Sequence, residues 1–369
     1  MKHKKINKII ITGGGTGGHL IPSFAIADAL KKQQSNINIR FIGSSKGIES
    51  KLYKNRDERC YLINIKGIKR SLSPKAIIEN CIIFPFNFLI SIIKVLRIFK
   101  EFKPDIVIGT GGYSSAIPLF AAKLKKIKII IQEQNAIPGL VNKLFFKKAN
   151  KVCFGFKPLY NSKNFINTGN PTLLSNNIID KNQDKKNIKP FKANKKMTIF
   201  ILGGSQGSVP INNHFISHYN KYLDMGIQLI WQCGEKNIRK IKNIISSEKI
   251  DLCGFINPPD MAYYYNMADL AISRAGALTL SELANFNLPS ILIPFPYAAN
   301  NHQLYNARYF SSNKSAEIVE QKDLSSGKLE AKVKRILDDI EIIKLMKNEI
   351  KKIAKPDAAD IIASEVLKA

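Results

Sequence analysis

Along most of the chain the hydrophobic pattern switches between two periods. Short, unbroken apolar runs fall at residues 8–12, 37–42, 105–109, 127–131 and 152–156. They have the length and β-branched content of strands buried on both faces. Between them, residues 21–32, 114–125 and 140–148 carry the spacing of helices. A second series begins at residues 197–202 and continues through 227–232, 270–273 and 290–294. Strand and helix in alternation predict parallel sheets covered by helices, an α/β fold class. Residues 169–196, polar, lysine-rich and without period, read as a linker. The expected units are residues 1–168, that linker, a second α/β domain at 197–345, and a helical tail at 346–369 whose partner the sequence leaves open.

Length and composition sharpen this only a little. A chain of 369 residues with 45% hydrophobic content can bury two cores. No apolar run reaches the roughly 18 residues that a membrane-spanning helix needs. The start "MKHKKINKIIIT" has too short an apolar stretch for a signal peptide, so the chain is expected to stay in the cytoplasm. Cys60, Cys81, Cys153, Cys233 and Cys253 are odd in number, far apart and in no CxxC pair, which predicts reduced, mostly buried thiols. His214 and His218 stand four apart on a predicted helix, the spacing of a metal pair. No carboxylate or third ligand accompanies them in the sequence, so an ordinary helix is expected there.

Charge says more. Residues 1–168 hold 30 Lys and Arg against 8 Asp and Glu, whereas residues 197–369 hold 20 against 18. A basic first half calls for an anionic partner, either nucleic acid or a membrane surface. No nucleic-acid motif is present and no aromatic platform is interleaved with the lysines, which sets nucleic acid aside. The most apolar stretch, residues 73–103, carries Lys94, Arg97, Lys100 and Lys103 at every third position beside Ile93, Leu96 and Ile98. Lys66, Lys69, Arg70 and Lys75 precede or open it. Part of it should be core; the rest reads as an apolar patch ringed by basic residues that rests on anionic lipid.

Three strands run into glycine turns: "IIITGGGTGGHL", "IVIGTGGYSS" and "MTIFILGGSQGS". A strand entering a helix through bare backbone brings N–H groups and the positive end of the helix dipole to an anion. Gly13, Gly15 and Gly18 satisfy GxGxxG, but a dinucleotide site also wants an acidic residue at the end of the second strand. Gly43, Ser44 and Ser45 stand there instead. His19, the residue after the first turn, opens a predicted helix whose dipole disfavours imidazolium and keeps the ring able to take a proton.

In order and approximate spacing, "TGGGTGGH", "GTGGYSS", "QEQNAIPG", "GNP", "GGSQG", "RAGALTLSE" and "HQLYNA" resemble the MurG family, bacterial cell-wall glycosyltransferases that add N-acetylglucosamine to lipid I. The resemblance runs from Ile9 to about Ala307. It implies a GT-B fold, two Rossmann-like domains whose parallel sheets face a central cleft. It further implies UDP-N-acetylglucosamine as donor, held mainly by the C-terminal domain. The implied acceptor is undecaprenyl-pyrophosphoryl-MurNAc-pentapeptide at the cytoplasmic face of the plasma membrane. Transfer to the C4 hydroxyl of MurNAc, with inversion, would give lipid II. Cell-wall or cell-division proteins are the implied further partners.

With these neighbours His19 is expected in the catalytic site, its part as the base proper left open by the sequence, and Gly14, Gly15, Gly111, Gly112 and Tyr113 are expected to face the acceptor and its pyrophosphate. Thr16, Gly17 and Gly18 match first-loop donor contacts, and Asn135 and Gln303 offer amides to the sugar. Ser205 serves the UDP phosphates, and the backbone of Ile256 meets uracil. Ala277, Leu278, Thr279, Leu280, Ser281 and Glu282 line the sugar–nucleotide pocket, with Glu282 accepting from both ribose hydroxyls. Two positions depart from the family. Leu173 stands where an arginine usually follows "GNP", with Arg274 as a possible substitute cation, and Gln132 replaces a histidine, a change given little weight. No DxD sequence occurs, so no metal or other cofactor is expected, and the leaving group falls to helix dipoles, hydroxyls and N–H groups. A UDP-N-acetylglucosamine 2-epimerase would share fold and donor, but would not need a basic, apolar first half.

Overall fold

The computed structural model of the chain describes residues 5–65, 73, 84–174 and 197–369. Two parallel sheets organise it. The first contains β1 (Lys8–Thr12), β2 (Asn38–Ser44), β3 (Arg59–Ile63), β4 (Ile106–Gly109), β5 (Lys128–Glu133), β6 (Lys151–Phe154) and β7 (Phe165–Asn167). The second contains β8 (Met197–Leu202), β9 (Ile227–Gln232), β10 (Ile250–Cys253), β11 (Leu270–Ser273), β12 (Ser290–Leu292) and β13 (Ala316–Ile318). Their orders are β3-β2-β1-β4-β5-β6-β7 and β10-β9-β8-β11-β12-β13. Each sheet therefore starts at its centre and reverses direction there. At such a reversal the loops leaving the two central strands diverge, which opens the crevice where doubly wound sheets take ligands. The turn after β1, "GGGTGGH", thus stands beside the turn after β4, "TGGYSS". The turn after β8, "GGSQG", stands beside "RAG" after β11.

All nine predicted strands are present, four with both ends as expected and the others with ends shifted by one or two residues. β3, β7, β10 and β13 did not show in the hydrophobic pattern. β3, β7, β10 and β13 lie at or near sheet edges, and β7 is three half-exposed or exposed residues. An edge strand needs no unbroken apolar run, because part of its surface faces water.

The chain divides into two compact units, Met1–Leu173 with Asp357–Ala369, and Leu174–Pro356. In the first, apolar layers on the two faces of the sheet centre on Ile10, Val107 and Ile131 and on Ile9, Ile11 and Ile108. The final helix, Ala358–Lys368, belongs to this unit and closes the second layer. Ile362, Ala363 and Val366, three and four residues apart, are fully buried in it. Gln33 donates to the Asp360 carbonyl at 2.8 Å, and Lys151 pairs with Glu365 at 3.5 Å. The preceding helix, Ile340–Ile353, instead buries Ile343 and Met346 in the second unit's core, so the predicted tail is two helices with different allegiances.

The Phe84–Phe102 helix sends Ile92, Val95, Ile98, Phe99 and Phe102 into the core. Phe86, Leu89, Ile90 and Ile93 are 66%, 57%, 49% and 44% exposed, and Arg97 and Lys100 are exposed further along. This corrects the expected stripe: Ile98 is core and Leu96 half-buried, and the apolar surface lies one to three turns earlier. Among the described residues no helix is long and apolar enough to cross a membrane. Cys60, Cys153, Cys233 and Cys253 are free thiols. Lys66, Lys69, Arg70, Lys75, Cys81 and linker positions 175–196 lie outside the described residues.

Candidate active site

In the first unit the site grows from the two central strands. β1 ends at Thr12, and the helix Gly17–Gln33 begins after an extended Thr16, so His19 is its third residue. The amide of Gly14 is already spent on the Gly111 carbonyl at 3.2 Å, which removes it from the amides expected to meet an anion. Among the described residues, the amides of Gly15, Thr16, Gly17 and Gly18 meet no acceptor. Gly112 has φ 76°, and a Cβ there would strike the Gly14 carbonyl and crowd the His19 ring. The two turns can interlock only through glycine backbone at this point. The half-buried Tyr113 ring covers Gly15.

A carboxylate does stand near this turn, although none ends β2. Glu49, five residues past Ser44, folds back under Gly14 and accepts from the Ser44 amide at 3.2 Å. It is completely buried, so a ribose could not reach it.

His19 is held from the β4 side and the β5 side at once. Its Nδ1 lies 3.1 Å from the Thr110 carbonyl and 3.0 Å from Gln134 Oε1. The Thr110 hydroxyl also donates to the His19 carbonyl at 2.8 Å. The direction of these bonds follows from backbone carbonyls, which only accept. Asn170 Nδ2 donates to the Gln134 carbonyl at 3.0 Å, which turns Asn170 Oδ1 toward Gln132 Nε2 at 2.9 Å. Gln132 Oε1 then accepts from Gln134 Nε2, which also donates to the Thr110 carbonyl at 2.7 Å. Gln134 is left presenting its oxygen to His19. Nδ1 faces two acceptors and must carry the proton, so the lone pair of the neutral ring resides on Nε2.

Gln132, Gln134 and Asn170 are each at most 1% exposed, so an amide pointing the wrong way would cost about 1–3 kcal/mol. Gln132, given little weight in the sequence, is the middle link of this chain. Beside it, the buried Glu133 accepts from the amides of Asn135 and Gly139, both at 3.0 Å, and from Asn142 at 2.9 Å. That carboxylate shapes the "NAIPG" loop and fixes the backbone of Asn135.

In the second unit the turn after β8 closes with the Gly207 amide on the Gly204 carbonyl at 2.8 Å. Gly204 has φ 86° over open space, and Ser205 is exposed. After β11, Gly276 leads into the Ala277–Asn285 helix. Its side chains divide. Leu278, Thr279 and Glu282 are accessible, whereas Leu280 is fully buried and Ala277 and Ser281 nearly so. The Ser281 hydroxyl returns to the Ala277 carbonyl at 3.0 Å. The expected lining is therefore corrected: the Leu280 side chain is core.

Glu282 accepts from the Tyr265 hydroxyl at 2.9 Å. Burial pushes its carboxyl up to about 7, with the Tyr265 hydrogen bond pulling the other way. Ile256 is buried in the loop after β10. Gln303 uses Oε1 to accept from the Phe295 amide at 2.9 Å.

Arg274 does not substitute for the missing arginine. It donates to Ser208, to the Ile293 and Pro294 carbonyls and to Gln321, and desolvation lowers its pKa to about 10. Leu173 packs on the first unit's core. The His214–His218 pair, read from sequence as lacking a carboxylate, has Glu330 beside it.

Comparison with known proteins gives the chain's family. Residues 9–154 match the glycosyltransferase family 28 N-terminal domain, and residues 198–362 match the family 28 C-terminal domain. The chain is 36% identical over 366 residues to the UDP-N-acetylglucosamine--N-acetylmuramyl-(pentapeptide) pyrophosphoryl-undecaprenol N-acetylglucosamine transferase of Flavobacterium psychrophilum, covering 98% of this chain and 97% of that one. It is 35% identical over 365 residues to the enzyme of the same name from Thermoanaerobacter sp., covering 96% and 98%. The crystal structure of Acinetobacter baumannii MurG matches with a TM-score of 0.79 at 25% identity, covering 98% of this chain and 100% of that one. A UDP-GlcNAc 2-epimerase from Neisseria meningitidis, with a TM-score of 0.67 at 13% identity over 99% and 100% of the two chains, shares the fold alone. Two Rossmann-like units of GT-B type, both family domains and near-full-length relatives make the chain a member of glycosyltransferase family 28, in the group of the UDP-N-acetylglucosamine--N-acetylmuramyl-(pentapeptide) pyrophosphoryl-undecaprenol N-acetylglucosamine transferases.

Proposed function

We propose that this enzyme moves N-acetylglucosamine from UDP-N-acetylglucosamine to the C4 hydroxyl of MurNAc in lipid I, with inversion, while resting on an anionic membrane surface. The observation that carries the chemistry is the fixed Nδ1–H tautomer of His19. As the acceptor oxygen attacks C1 of the sugar, Nε2 takes the hydroxyl proton. The C1–O bond to the diphosphate breaks, and its electron pair leaves with UDP. The amide of Gly15 suits the acceptor's pyrophosphate, and those of Thr16, Gly17 and Gly18, at the helix N-terminus, suit the donor. The turn after β8 and the first turn of the Ala277–Asn285 helix suit the donor phosphates. Arg274 adds a buried positive charge beneath them, held only by neutral acceptors among the described residues.

Incubating the protein with labelled UDP-N-acetylglucosamine and lipid I should yield labelled lipid II. His19→Ala should lower turnover about 10²–10⁴-fold and leave donor binding in place. A wild type that binds the donor and transfers nothing to lipid I would overturn the reaction, and a fully active His19→Ala would overturn the base.

Glu282 brings a pH dependence. Its folded pKa, about 7, lies above its ordinary 4.5. The stability it contributes to the free protein is thus complete below about 4.5 and lost as pH rises through about 7. Donor binding needs the ionised form as acceptor for the ribose, so UDP-N-acetylglucosamine affinity should fall as pH drops from 8 to 6, by up to about tenfold per unit below 7. The side chain remains partly accessible, which places the effect toward the smaller end. Glu282→Gln should bind weakly with a flat profile; a wild-type slope in that variant would remove Glu282 from the nucleotide.

Membrane contact rests on Phe86, Leu89, Ile90 and Ile93, with Arg97 and Lys100 behind them. In co-sedimentation with vesicles containing anionic lipid, Phe86→Asp combined with Ile90→Asp should cut the bound fraction severalfold without changing Tm. Unchanged binding would move the contact elsewhere.

A further inference from the structure

A glutamate that grips a ribose must hold its carboxylate at one rotation, and a free Glu side chain has several rotatable bonds to lose. Glu282 lies in the Ala277–Asn285 helix, but what holds its carboxylate comes from another element. The helix Pro258–Met267 carries Tyr265, whose hydroxyl donates to Glu282 Oε2 at 2.9 Å. Tyr265 is 2% exposed. Its ring centroid lies 5.6 Å from that of Phe200, in β8, and 5.0 Å from that of Phe286. Phe286 directly follows the Ala277–Asn285 helix. The ring is thus wedged between a central strand and the end of the helix it serves, so its oxygen is a fixed point.

The hydrogen bond has one direction when Glu282 is ionised, because a carboxylate only accepts. Burial, and then the charge of Glu282, raise the phenol well above its ordinary 10, so it keeps its proton. Tyr265 occupies one of the roughly four lone pairs of the carboxylate, which leaves acceptor positions on both oxygens. The helices His302–Ser312 and Ile340–Ile353 also pack on this helix. Among the described residues no charged side chain on them, or on Pro258–Met267, contributes to the raised pKa of Glu282; burial and the Tyr265 hydroxyl are its causes.

We propose that Tyr265 is a positioning residue for the donor nucleotide, its hydroxyl fixing the Glu282 carboxylate so that both oxygens can accept from the two ribose hydroxyls. This rests on the reading of Glu282 as the ribose acceptor. Two neighbouring hydroxyls offer a pair of donors that match a carboxylate already held in place, so less freedom is lost on binding. The same hydrogen bond favours the charged carboxylate over the neutral carboxyl, which is the form the ribose needs.

Calorimetric titration of the full-length protein with UDP between pH 6 and pH 8 tests this. Tyr265→Phe keeps the ring and its packing and removes only the donor. A hydrogen bond to a charged group is worth about tenfold, so its loss should move the Glu282 midpoint up by about one pH unit. Relative to wild type, Tyr265→Phe should bind UDP about twofold more weakly at pH 8 and about tenfold more weakly at pH 6. Taking the ratio to wild type at each pH cancels the titration of UDP itself. In a Glu282→Gln background, adding Tyr265→Phe should change affinity by less than about twofold at either pH. A deficit of equal size at every pH would mark a merely structural role and overturn the proposal. A wild-type slope in Glu282→Gln would take Glu282 off the nucleotide and overturn both readings. A flat Glu282→Gln profile beside a wild-type Tyr265→Phe profile would overturn the role of Tyr265 alone.

Discussion

The carbonyls of Gln134 and Thr110 can accept a hydrogen bond and cannot donate one, and the chemistry of the first unit depends on that asymmetry. Asn170, Gln132 and Gln134 run between them as a buried chain of amides with one allowed direction. A flipped amide anywhere along it would set donor against donor in a place water does not reach. The chain ends on His19 Nδ1, so its direction becomes the tautomer of an imidazole. What the fold contributes is proximity. The reversal of strand order at β1 and β4 brings Thr110 to His19, and glycine at Gly111 and Gly112 leaves room for the ring.

The second unit repeats the topology with different electrostatics. Its candidate site holds a carboxyl whose burial raises its pKa and a guanidinium whose burial lowers it. Neither has an ion-pair partner at its site among the described residues. In the proposed function Glu282 would meet hydroxyls that donate and Arg274 would lend its field to the donor phosphates. Without a ligand such groups reduce stability, a cost commonly found at binding sites.

Much of the fold was legible because strands buried on both faces leave uninterrupted apolar runs, as "KIIIT" and "MTIFIL" do. The edge strands were not, since one side of each meets solvent and admits residues such as Arg59 and Asn167. The partner of the last helix was also hidden. Ile362 and Val366 announce an apolar face, but nothing local says that it returns to the sheet begun at residue 8. For the candidate site, motifs singled out His19, Gly112, Ser205 and Glu282. They could not show which side of the Ala277–Asn285 helix faces inward, nor that Gln132 and Asn170, 38 residues apart, share a hydrogen bond. Glu49 and Glu330 were missed for the same reason: each reaches its neighbours by tertiary folding rather than by a fixed spacing.

The most direct test of the amide chain separates kcat from KM in Gln132→Leu, a substitution at a fully buried position that contacts neither substrate. With the chain broken at its middle, Gln134 loses its imposed direction and His19 its alignment. Turnover in the transfer of N-acetylglucosamine to lipid I should fall about 10–100-fold, as misplacement of a catalytic group by an ångström or less does. KM for both substrates should stay within about twofold, and Tm should fall only modestly. Unchanged turnover, or a loss carried wholly by KM, would contradict a positioning role for the chain.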